Sequence, residues 1–406
     1  MSHARSPCGG RWLAVLLLIP LAGLAQARDD VAATVAAKSC AALRARVAAV
    51  PGAAPLLLRS YDGVDGGEPA APALRTAAFV YDEALVTVAL IACGDVPAAS
   101  RVGEALRLAA TGDTRLRNVY RAGAVDGRVL RNGWWDAAQQ RWVEDAYQVG
   151  TTTGNVAWTA LALLALHDVS HEAKWLDAAR GLARWVVANT ADPRGAGGFR
   201  GGVQGFDAAP ETLAWKSTEH ALDLLAMFER LAAVDGADSA EWQRQAAAAR
   251  AFLDAQWDER GGYLRIGTAP DGATPNRMSS ALDVQLWAQL VPRPPARWAR
   301  ALAYAERAHG VDCGFDFDAD RDGVWLEGTA QAALAYRVRG ERAAAQRRLA
   351  CVAGEFSPGG LLYATREARI STGLGADAAY FRWPHLGATA WAALAATGRN
   401  PYAAAR

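Results

Sequence analysis

The sequence predicts an all-α domain whose helical hairpins close into a double ring. Three observations lead there. Windows rich in Ala, Leu and Arg dominate the chain after Asp29 and are broken at intervals by Gly, Pro and Asp clusters. Nearly all-apolar helices alternate with amphipathic ones. Polar and aromatic residues gather at the starts of the apolar members.

The first element is a leader. Arg5 and Arg11 flank the start of an apolar run from Trp12 to Ala25, and Ala25-Gln26-Ala27 offers small residues at a cleavage point. The run is too short, and too soon followed by Arg28, Asp29 and Asp30, to span a membrane. Residues 1–27 therefore read as a signal peptide and 28–406 as one domain, periplasmic or secreted. Cys8 precedes the apolar run, which speaks against a lipid anchor. The other cysteines, Cys40, Cys93, Cys313 and Cys351, permit one or two disulfides in an oxidising compartment, and their pairing is open.

Helices are expected at 30–49, 74–92, 96–110, 153–167, 171–188, 212–234, 239–256, 279–290, 296–309, 326–339, 341–353 and 386–396. An apolar helix must be surrounded, and an amphipathic one must hide a single face. Six apolar helices inside six amphipathic ones meet both conditions, provided that 30–49 pairs with 386–396 to close the circle. The result is an (α/α)6 toroid. Anchor residues at the inner-helix starts, Asp82, Asn155, Glu219, Asp283, Glu327 and His385, form an imperfect internal repeat.

In such a ring all inner-helix starts face one mouth, which the long Gly-rich loops also border. Asp82, Glu219, Asp283 and Glu327 are the candidate catalytic acids, with Glu327 as general acid, Asp82 or Glu219 as base and Asp283 orienting a hydroxyl or water. Tyr81, Trp134, Trp135, Asn155, Trp158, His220, Trp287, Trp325, Gln331, Trp383 and His385 are candidate substrate contacts. Carboxylates and amides suit sugar hydroxyls, and aromatic faces cover sugar rings. A lone acid in a first helical turn is commonly just a favourable helix-end charge; four from different helices at one mouth call for another explanation.

Lys and Arg number 43 against 42 Asp and Glu, and loss of the leader arginines tips the net charge from +1 to slightly negative. Nothing in that balance points to nucleic acid. Asp318, Asp320, Asp322 and Gly323 follow the start of a calcium loop, preceded by Asp316, but the closing position is Thr329 rather than Glu. A structural calcium is the one metal that the sequence admits, and no cofactor is expected. His167 and His171 read as a surface pair near the opposite end. Gly-Gly followed by an aromatic recurs at 197–199, 261–263 and 359–363, where small hairpins would project Phe199, Tyr263 and Tyr363 beside the mouth.

Tyr81-Asp82-Glu83-Ala84-Leu85, Gly154-Asn155-Val156-Ala157-Trp158, Ser217-Thr218-Glu219-His220, Trp325-Leu326-Glu327-Gly328-Thr329-Ala330-Gln331 and Gly387-Ala388-Thr389-Ala390-Trp391 are the stretches in which the chain resembles six-hairpin, (α/α)6-barrel glycoside hydrolases and related bacterial sugar-processing toroids. The resemblance spans nearly the whole mature chain as a hairpin pattern. It implies acid/base cleavage of a glycosidic bond in a polysaccharide or oligosaccharide, with a β-glucan as the polymer it suggests, commonly with inversion and without a metal at the reacting bond. The same toroid also serves lyases and sugar 2-epimerases, for which His220 and His385 would be the acid/base groups, and a non-catalytic periplasmic glycan-binding protein would need only the aromatics.

Overall fold

The computed structural model describes residues 22–405 apart from 65, 278, 279, 376 and 377, with side chains from Val31 onward. Residues 1–21, most of the expected signal peptide, lie outside the described residues. The helices are α1 (Ala22–Ala48), α2 (Val80–Ala92), α3 (Val96–Gly112), α4 (Ala146–Val149), α5 (Thr153–Ser170), α6 (Ala173–Thr190), α7 (Thr218–Val234), α8 (Ser239–Gln256), α9 (Leu282–Trp287), α10 (Arg300–Ala308), α11 (Leu326–Val338), α12 (Arg342–Val352) and α13 (Leu386–Thr397). Among them, none with described residues is long and apolar enough to cross a membrane.

Helices α2, α5, α7, α9, α11 and α13 contact one another in that order, and α13 returns to α2. This is the inner ring. Each packs against its own outer partner, α3, α6, α8, α10 or α12, while α1 packs on α13 and closes the circle. The burial patterns explain the sorting. Helix α3 buries Ala98, Ala99, Val102, Ala105, Leu106 and Ala109, a stripe at i, i+3 and i+4 spacing, whereas α5 buries every residue from Val156 to Leu166. Asp95 fixes where α3 begins by accepting the Ala98 N–H at 3.1 Å.

Four expected helices are shorter than their patterns, among them 212–234, where strand Glu211–Leu213 precedes α7 and the helix begins only at Thr218. The 279–290 segment is helical only over Leu282–Trp287, because Pro292, Pro294 and Pro295 follow closely and the chain tightens through i→i+3 bonds at Gln289 and Leu290. The 296–309 segment starts as a 3₁₀ turn, Ala296–Ala299, before α10. The segment expected as helix 74–92 opens as strand Ala77–Phe79, paired with Val119–Arg121. Further short antiparallel ladders stiffen the mouth loops: Trp134–Asp136 with Arg141–Val143, Gly202–Gln204 between Thr151–Thr152 and Glu211–Leu213, and Arg369–Ser371 with Ala379–Phe381.

Disulfides Cys40–Cys93 and Cys313–Cys351 tie α1 to the end of α2 and the 310–315 hairpin to α12. At the far end the C-terminal tail folds back into the ring. Tyr402 is fully buried against Trp158 and Trp287, and its hydroxyl donates to Asp223. Asn400 anchors the turn by donating to the Leu290 carbonyl at 2.7 Å.

Candidate active site

At the mouth lies a cavity of about 990 Å³. Tyr81, Asp82, Asn155, Glu219, His220, Asp283, Trp287, Trp325, Glu327 and His385 all line it, although they come from every inner helix. Their common position follows from the ring: all but Trp287, which ends the short α9, sit at or just before the first turn of their helix, where unpaired N–H groups and the positive dipole end favour acids. Ser217 begins α7 by accepting the His220 N–H at 3.3 Å, and that start places Glu219 in the first turn. Two glycines let the starts converge. A Cβ on Gly387 would lie 2.4 Å from Asp82 Oδ1, and one on Gly154 would lie 2.4 Å from His220 Cδ2.

His385 is the hub. Its Nε2 lies 3.3 Å from Asp82 Oδ2 and its Nδ1 3.3 Å from Glu327 Oε2, with the ring buried and stacked on Tyr61 at 4.3 Å. Burial acts to lower the imidazole pKa, but the Asp82 and then the Glu327 carboxylate outweigh it and push the value up to about 10. His385 is therefore an imidazolium at neutral pH. Its Nδ1 also lies 3.3 Å from the Ala388 N–H at the start of α13; a neutral ring would cap that helix, whereas the charged ring donates to Glu327.

Glu327 receives several donors. The Trp391 indole N–H donates to the Tyr81 oxygen at 2.8 Å, which directs the Tyr81 hydroxyl proton to Glu327 Oε1, also at 2.8 Å. Gln331 Nε2 adds a 3.4 Å contact to the same oxygen. With His385 on its other oxygen, Glu327 is held as an acceptor.

Glu219 and Asp283 have the opposite environment. Enclosure raises the Glu219 pKa well above the usual carboxylate range, and the charges of Asp283 and Glu327 raise it further. Asp283 is pushed up to about 7, mainly by burial, with the Val284 N–H opposing and Glu327 reinforcing the shift. Burial alone drives His220 down to about 4, so that ring stays neutral. No lysine or arginine among the described residues lines the cavity.

Five expected contacts lie outside the cavity lining. Trp158 is buried in an aromatic cluster with Tyr81, Trp287, Trp391 and Tyr402 beneath the floor, because its position one turn into α5 turns it toward the ring axis. Gln331 is likewise buried one turn below Glu327. Trp134 sits on the hairpin that pairs Trp135 with Trp142, and Trp135 is 57% exposed on its outside. Trp383 stacks on Phe381 at 4.9 Å and meets Tyr61 edge-on. The Gly-Gly aromatics also face elsewhere: Phe199 packs on Phe228, Tyr263 stacks on Tyr304 of α10, and Tyr363 lies under Arg382. Tyr61, Phe79, Asn118, Trp215 and Phe317 complete the wall without having been singled out from sequence. Asn118 had a readable role only in three dimensions, where its Oδ1 accepts from Thr152 and Asn155.

Asp316, Asp318 and Asp320 bring carboxylate oxygens within 4.8 Å of one another. Backbone N–H groups of Phe317, Gly323 and Asp320 already donate to Asp316 and Asp318. Thr329, the closing position of the calcium pattern, is buried on α11 and donates to the Trp325 carbonyl instead.

The geometry defines a helical toroid with an acid-lined mouth. No protein-family model and no curated protein matches the chain. Several solved structures share the fold. A glycosidase is 14% identical with a TM-score of 0.63, the match covering 90% of this chain and 97% of that one. A glycosidase variant solved with glucose is 15% identical with a TM-score of 0.64 over the same shares. The cellobiose 2-epimerase of Spirochaeta thermophila is 13% identical with a TM-score of 0.63, covering 94% of this chain and 98% of that one. This chain thus shares the (α/α)6 toroid fold of these structures.

Proposed function

We propose that the protein is a glycoside hydrolase that cleaves a polysaccharide or oligosaccharide, with a β-glucan as the first substrate to test. The observation that carries this reading is the contrast between two kinds of carboxyl in one cavity: Glu219 and Asp283 are shifted toward the protonated form, while Glu327 is surrounded by donors. The roles then differ from those expected from sequence. Glu219 is the general acid that protonates the leaving oxygen as the glycosidic C–O bond breaks. Glu327 takes the proton of the water that adds to the anomeric carbon, and Asp82 acts through His385. Asp283 keeps Glu219 protonated and orients a hydroxyl. Inversion is the expected stereochemistry, readable from the first anomer formed by NMR.

Sugar-processing neighbours of the same fold and a wall of aromatic rings support a saccharide ligand. The two disulfides support export to the periplasm or beyond. Reducing-end release from soluble glucans is the primary assay, and near-full activity in both Glu219→Gln and Glu327→Gln would refute the assignment. A 2-epimerase is the second reading, favoured by His220 and His385 lining the same cavity. Deuterium entering C2 of a free reducing sugar from D2O, without bond cleavage, would establish it instead. Glycan binding without either reaction would mark a non-catalytic protein.

A further inference from the structure

We infer that the cavity selects uncharged saccharides and turns away those bearing carboxylates, with Glu211 at its lip as a specificity-determining residue. This rests on the saccharide reading above and adds the class of sugar.

Among the described residues five acids line the cavity, Asp82, Glu211, Glu219, Asp283 and Glu327. The basic groups beside them, among the described residues, are His220, which is neutral, and His385, whose single positive charge is already shared by Asp82 and Glu327. The site therefore holds an excess of negative charge even with Glu219 and Asp283 protonated. Burial raises the pKa values of both, and neighbouring carboxylates raise them further.

Several cations of the surrounding loops are engaged elsewhere. Lys216 is fully buried and donates to the carbonyls of Asp192, Arg194 and Gly197 at 3.1, 2.7 and 2.9 Å. Arg115 holds Asp207, Arg117 holds Glu144 and Asp207, and Arg366 and Arg382 both hold Glu355. None of these, nor Arg277, lines the cavity. A substrate carboxylate placed about 6 Å from one unbalanced acid, at an effective dielectric near 20, loses more than about tenfold in affinity. Glu211 is the acid best suited to act on specificity alone. It begins a short strand, is exposed, and accepts a 3.0 Å bond from Gln204.

The test is calorimetric binding of cello- and laminari-oligosaccharides and of their C6-oxidised uronate forms to the intact protein, at low and high ionic strength. The uronates should bind at least about tenfold more weakly at low salt, and the gap should narrow as salt screens it. Glu211→Lys should narrow the gap several-fold while neutral affinity stays within about twofold. Uronates that bind as tightly as the neutral sugars, or a gap indifferent to Glu211→Lys, would overturn the inference. Binding of none of these sugars would instead overturn the β-glucan reading beneath it.

Discussion

Replacing His385 by Gln separates two contributions that the native residue combines. The first is capping: a neutral ring accepts the Ala388 N–H at Nδ1, which is worth about 1 kcal/mol and operates only where the imidazole has lost its proton, near and above pH 10. The second is proton linkage. Folding raises the imidazole from 6.5 to about 10, because the attraction of Asp82 and Glu327 exceeds the opposing effect of burial. A folded pKa above the unfolded one means that the native state binds more protons, so the contribution is complete below pH 6.5 and disappears as pH rises through 10. At about 1.4 kcal/mol per pKa unit the ceiling is ~5 kcal/mol. Gln still donates one hydrogen bond to a carboxylate, which recovers part of that, so we expect a difference of ~2–4 kcal/mol at pH 6. Urea unfolding of both proteins with disulfides intact, at pH 6, 8 and 10, measures it. The stability gap should shrink to the capping residue of about 1 kcal/mol by pH 10. A gap that stays constant over this range, or widens, would refute the imidazolium bridge.

Three more outcomes follow from local packing. Gly387→Ala should lose ~1–3 kcal/mol in thermal or urea unfolding, since its Cβ would be forced against Asp82 Oδ1 and the first turn of α13 would have to move. The double substitution of Cys40 and Cys93 by Ala should cost ~2–4 kcal/mol, because the bridge closes a loop of 53 residues of sequence separation and joins the first helix to the ring; an unchanged denaturation midpoint would show that α1 is held by packing alone. Chelator should leave the melting temperature unchanged within error, as the Asp316 and Asp318 carboxylates are already bonded to backbone N–H groups; a drop of several degrees would restore the calcium reading.

The double ring was legible because helix periodicity and burial are one and the same constraint. A helix such as α5, apolar on all sides, has only the inside of a ring to occupy. The acids were legible for a related reason: helices laid in one direction bring first turns to one mouth, so Asp82, Glu219, Asp283 and Glu327 meet despite their distance in sequence. The loop aromatics obey a different period. Whether a hairpin residue faces the cavity depends on strand register, and a shift of one residue reverses it. Trp135 and Trp142 are cross-strand partners on the outside, while Tyr380, on another hairpin, lines the cavity; composition is the same for both. Tyr61 and Tyr402 carry no periodic signal at all, yet one stacks on His385 and the other reaches Asp223 from the opposite end. The hidden part of the site is therefore its direction of proton donation. Trp391 points the Tyr81 proton at Glu327, and His385 lies against the other oxygen of the same carboxylate, contacts that no neighbour in sequence announces.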